Sequence, residues 1–176
     1  TAIAIARESA KDTLKTDITS KNTGTSLRDV GALRSFFEKK GYEKGDADNI
    51  LKSINNSLIQ IRARTSSEAL SSISLLSNIP AKDLQSGKAG TMDVYRGIAE
   101  NGRNLNKDYR IELGKTRGLG VEMMNAIDRI GTSDTTKKSM AKESEGLGLT
   151  KENLEGSKHA NSIWVSFTNE LATIGR

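Results

Sequence analysis

An arginine followed at once by a glycine, in the run TMDVYRGIAE of residues 91–100, is where the residue types of this chain most directly suggest chemistry. On a strand over 92–98, Met92, Val94, Arg96 and Ile98 share one face, which sets a guanidinium among three apolar side chains. A forked, permanently charged donor in that setting calls for an anion, and Gly97 beside it lets a ligand approach the backbone. On a helix capped by Thr91 with Asp93 in its first turn, Arg96 instead turns outward and needs only a salt-bridge partner. The residue pattern leaves both geometries open. The run SIWVSFT, with hydroxyls at Ser166 and Thr168, has the β-rich composition of a strand. The same run also reads as part of a C-terminal amphipathic helix packing Trp164, Phe167 and Leu171. A further arginine, Arg34 in GALRS, falls on the polar side of an amphipathic helix.

Composition excludes several other chemistries. There is no cysteine, so no disulfide framework, thiolate nucleophile or cysteine-based metal site, and the single histidine, His159, cannot make a histidine cluster. No metal is expected. The formal charge of +5 is a modest bias spread along the chain, which allows an acidic partner or phosphates without calling for nucleic acid. No run reaches the roughly 20 apolar residues of a membrane span, and the expectation is a soluble protein. The chain begins at Thr1 rather than methionine, which suggests processing or a piece of something longer.

The elements that must position these residues are mostly helical. Residues 1–16 read as a short helix followed by a polar loop, DITSKNTGTS. Ser26 is a good N-cap for a helix carrying Leu27, Val30, Leu33 and Phe37 on one face and stopped by Gly41. Asp46 caps a longer helix in which Ile50, Leu51, Ile54, Leu58 and Ile61 recur at helical spacing. Ser66 or Ser67 opens another, with Leu70, Ile73, Leu76 and Ile79, closed by the only proline, Pro80. Residues 81–90 read as a connector, YRIEL as a short strand, VEMMNAIDRIG as a helix, and 131–149 as a mobile or weakly helical arm.

Taken in order, ILKSINNSL, SLLSNIP, MDVYRGI and SIWVSFTNELA resemble successive landmarks of the arginine-type mono-ADP-ribosyltransferase toxins and effectors. The matching positions are Ile54, Asn55 and Leu58; Ile79 and Pro80; Tyr95, Arg96 and Gly97; and Ser166, Phe167 and Thr168, where the family has Ser-Thr-Ser. The resemblance implies NAD as cofactor, with Arg96 and Gly97 at its phosphates, Ser166 and Thr168 at the nicotinamide ribose, and Tyr95 and Trp164 packing nearby. It also implies a catalytic Glu-X-Glu loop on a later strand, which would lie past Arg176. GALRS separately resembles the arginine-finger loop of bacterial GTPase-activating effectors, which implies a small GTPase as partner and a catalytic role for Arg34. In that family a threonine stands where Glu38 is.

The expected fold is mainly α, with a helical region over 1–90 and a small β component after residue 90, or else an all-α bundle. Residues 91–176 are then either part of a transferase-like core or the continuation of one helical domain. The expected function is that of a secreted toxin or effector resembling part of an NAD-dependent protein ADP-ribosyltransferase, delivered to act on a host protein. The alternative is a non-enzymatic all-α module, from a bacterium or phage, that binds a protein partner.

Overall fold

The computed structural model describes residues 2–130, and every described element is helical. In chain order these are α1 (Ala2–Thr23), α2 (Leu27–Lys39), α3 (Lys44–Arg62), α4 (Ser67–Ser77), α5 (Ala81–Ser86), α6 (Thr91–Asn101), a 3-10 turn (Gly102–Asn104), α7 (Lys107–Lys115) and α8 (Val121–Ile130). The expected arm at 131–149 and the segment holding His159, Trp164, Ser166 and Thr168 lie outside the described residues.

Helix α3 is the axis of the bundle. Its stripe of Ile50, Leu51, Ile54, Leu58 and Ile61 is fully buried, and the helix packs against α1, α2, α4, α5 and α6. The spacing of these residues places them on one face, so burial of that face rather than local propensity fixes the helix. Onto it α2 brings Val30, Leu33 and Phe37, α4 brings Ile73 and Leu76, and α6 brings Val94, Tyr95 and Ile98. The last layer is α7 and α8, which adds Met124, Ala126, Ile127 and Ile130 to the same core.

Local signals set most of the ends. Ser26 accepts from the Asp29 amide and Ser66 from the Ala69 amide, each satisfying one orphan N–H of its helix. Asp46 lies one turn inside α3 and accepts from the Glu43 backbone N–H, so it closes the helix start from within rather than capping it. Helix α4 ends at Ser77, where Asn78 turns into the left-handed region ahead of Pro80.

Four expectations are corrected. Helix α1 runs to Thr23 instead of stopping near 16, because Gly24, at φ +62°, is the first residue to take the left-handed turn. Residues 81–86, expected as a connector, form the short helix α5, with Pro80 at its start and Leu84 buried. YRIEL is helical, within α7, capped by Asn106, whose side chain accepts from the Asp108 and Tyr109 amides. The segment 92–98 is helical too, inside α6, so no strand appears after residue 90 among the described residues. The all-α alternative describes them.

Gly97 belongs to that correction. Helix α6 crosses the end of α4 so closely that a Cβ at Gly97 would stand 2.5 Å from the Ser77 carbonyl oxygen and 2.8 Å from the Ser77 Cβ. The glycine brings two helices into near backbone contact, and Asn101 adds a hydrogen bond to the same carbonyl at 3.1 Å. Next to it, the Tyr95 ring is fully buried and its hydroxyl has no hydrogen-bond partner within the protein.

Two substitutions probe this crossing. Gly97→Ala must push against backbone, and is expected to lower stability by about 1–3 kcal/mol. Tyr95→Phe removes an unpaired buried hydroxyl while keeping the ring, and is expected to leave stability unchanged or raise it by about 1 kcal/mol. Urea denaturation of both variants checks the pair.

Candidate functional site

Arg34, at mid-helix in α2, lies at the centre of a polar cluster. It is 3% exposed. Its Nη1 donates to Asp48 Oδ2 on α3 at 3.0 Å, and its Nη2 donates to Asp12 Oδ1 on α1 at 2.6 Å. The second oxygen of Asp12 accepts from Lys44 Nζ at 2.9 Å, and Lys44 lies 3.5 Å from Glu38. One guanidinium thus joins three helices, with an ammonium closing the outer side. The cleft of about 190 Å³ beside it is lined by Ser9, Asp12, Thr13, Arg34, Glu38 and Lys44, among others.

The protonation behaviour of the cluster follows from who faces whom. Burial alone would raise the Asp12 carboxyl, but Lys44 and Arg34 together outweigh it and hold it below its ordinary value of 3.8. Lys44 is lowered by burial and raised by Asp12 and Glu38, and the acids win. Asp48 moves the other way: its burial, with the Asp12 charge adding to it, exceeds what Arg34, Thr19 and Lys52 return. Two carboxylates share one guanidinium, and the more deeply buried one is the less well compensated.

Arg96 meets its anion within the chain. It is on α6, its side chain about one-third exposed, with Nη2 3.5 Å from Asp29 Oδ1 of α2 and Nη1 4.0 Å from Asp93 Oδ1 one turn back. This is the outward, ion-paired geometry of the helical reading. Thr91, expected as the cap, is instead the first helical residue; it is buried, and its hydroxyl donates to the Thr23 carbonyl oxygen at 2.8 Å, which ties α6 to the end of α1. Asp93 accepts from the Gly90 N–H and starts α6 in its place. Arg34 and Arg96 are therefore in separate clusters, and Gly97 faces Ser77 rather than an open surface. Ser166 and Thr168 lie outside the described residues.

Sequence reasoning passed over two features. Arg110 on α7, 6% exposed, makes a bidentate pair with Asp128 on α8 at 2.9 and 2.8 Å and also donates to the Gly102 carbonyl, so it pins the last helical layer. Its sequence signal is only a charged residue at a helical position that points inward. Between the α2–α3 turn and α8 opens a cleft of about 560 Å³, with Tyr42, Val121, Met123 and Ala126 on its walls and Asp46 and Arg129 also lining it. No group of acidic or histidine side chains among the described residues is arranged to hold a metal ion, and no described helix is long and apolar enough to cross a membrane.

Comparison of the chain with protein-family models, with curated proteins and with solved structures gives no match.

The Arg34 cluster yields a pH-dependent prediction. Arg34→Met leaves Asp48 buried without its cation and is expected to cost about 3 kcal/mol near neutral pH. The sign with pH follows from the raised Asp48 carboxyl. A folded state that binds its proton more readily than the unfolded chain gains relative stability as pH falls, so the deficit of the variant shrinks on acidification. Asp12 contributes in the opposite sense in the native protein: its share is present above the ordinary aspartate range and is lost as pH falls through its lowered value. Denaturant titrations of wild type and variant between acid and neutral pH test both signs; a deficit that grows on acidification would contradict them.

Proposed function

We propose that the chain is a non-enzymatic all-α module that acts by binding a protein partner. The observation that carries this reading is the commitment of its candidate catalytic arginine. Arg34 is buried with both terminal nitrogens bound to carboxylates of its own chain, whereas an arginine finger has to reach a phosphoryl group on another molecule. The helical setting of 92–98 supports it from a second side, since the NAD-binding reading of Arg96 and Gly97 was built on a strand. Charge at these positions serves the packing of helices, which leaves recognition to the surfaces they present.

Three measurements on the intact chain test the proposal. Calorimetry with NAD at millimolar concentration is expected to give no binding heat. Several Rho-family GTPases are expected to hydrolyse GTP at unchanged rates in its presence. Affinity capture from a suitable source is expected to return a discrete, stoichiometric protein complex that NAD does not alter. NAD binding lost in Arg96→Ala would overturn the proposal in favour of a transferase-like function, and accelerated GTP hydrolysis lost in Arg34→Ala would overturn it in favour of GTPase activation.

A further inference from the structure

Helix α1 is attached to the bundle differently from every other described helix. Among the described side chains, the hydrophobic core assembled by α2 to α8 contains none from α1. Among the described side chains of α1, Ala10 is the only buried apolar one, while Thr16, Asp17, Thr19 and Thr23 are also buried. Two large apolar residues, Ile5 and Ile18, stand 72% and 54% exposed. The hydroxyls of Thr13, Thr16 and Thr23 each donate to a carbonyl one turn back in α1 itself, so they spend their donors inside the helix.

The described contacts that reach across to the bundle include several polar ones, among them that of Thr19 with Asp48 on α3. Arg34 Nη2 and Lys44 Nζ grip the two oxygens of Asp12 near the middle of the helix. At its C-terminal end, Asn55 Nδ2 donates to the Asn22 carbonyl at 3.0 Å, and the Thr91 hydroxyl donates to that of Thr23. The apolar burial that welds the remaining helices together, worth roughly 25 cal/mol per Å² of area, is small for the described side chains of α1, where Ala10 is the buried apolar one.

We propose that α1 is a charge-latched strap: it docks and releases as a unit from a core that is closed without it, with Asp12 held between Arg34 and Lys44 as the latch. Release frees Nη2 of Arg34 from Asp12 while Nη1 keeps Asp48, so the guanidinium stays anchored to α3. The strap is a reversible third member of the α1–α2–α3 junction. It does not depend on which partner the module binds.

Hydrogen exchange of the intact chain, read by mass spectrometry, tests the latch. Amides in residues 8–23 are expected to exchange faster than those of α3, α4 and α6. Asp12→Asn keeps the shape of the side chain, removes its charge, and is expected to speed exchange in 8–23 at least about threefold with the other three helices unchanged. Raising salt to about 1 M, where the screening length falls to about 3 Å, is expected to act on the wild type in the same direction. Equal protection of α1 and α3 in the wild type would overturn the proposal, as would an Asp12→Asn effect that is absent or spread evenly over α3, α4 and α6. The even spread would mean that α1 unfolds only with the whole bundle.

Discussion

One helix has to serve five neighbours. The apolar face of α3 is the floor on which α2, α4, α5 and α6 all rest, and it is built almost entirely from isoleucine and leucine. Aliphatic side chains fill a narrow layer, so elements packing on this floor must come close to one another as well as to it. The contact of Gly97 with Ser77 is one result: α6 and α4 meet almost backbone to backbone above the stripe. The solitary Tyr95 hydroxyl is another, since the ring is needed for volume where no acceptor is within reach.

Beyond the floor, arginines do the joining. Arg34 ties α1 and α3 to α2, Arg96 ties α6 to α2, and Arg110 ties α7 to α8 and to the 3-10 turn. Arg62 at the end of α3 donates to the Ala89 carbonyl just before α6, and Arg117 after α7 reaches Glu68 on α4. A long side chain with a forked head spans gaps that short aliphatic residues leave, and it can bury its stem while keeping its head paired. Five of the chain's 27 basic residues are thus engaged within the fold, so the formal net charge is not a direct measure of the cations its surface presents.

The parts of the fold that were legible are those where a single local pattern settles the matter. Ser26 and Ser66 announce helix starts, and the apolar spacing of α3 and α8 has no strand counterpart of similar length. Helices α5, α6 and α7 were harder for a reason other than length, since α8 has only ten residues: their apolar residues do not recur as one clean helical stripe. In MDVYRGI the alternation of Met92, Val94 and Ile98 fits a strand as well as it fits a helix buried on more than one side, and α6 is such a helix, with Met92, Val94, Tyr95, Ile98 and Ala99 all buried. The Arg34 cluster was illegible for another reason. Its members come from positions 12, 34, 44 and 48, and only the packing of α1 across α2 and α3 brings them together.

The polar seam under α1 also has a thermal consequence. Attachments made by burying apolar surface weaken on cooling, because the release of ordered water that drives them fades, and they carry the large heat-capacity change typical of folding. A helix held by carboxylates, an ammonium, a guanidinium and two carbonyls buries little such surface. Its association with the bundle therefore carries a small heat-capacity change, and between cold and ambient temperature it follows a different curve from the core it covers.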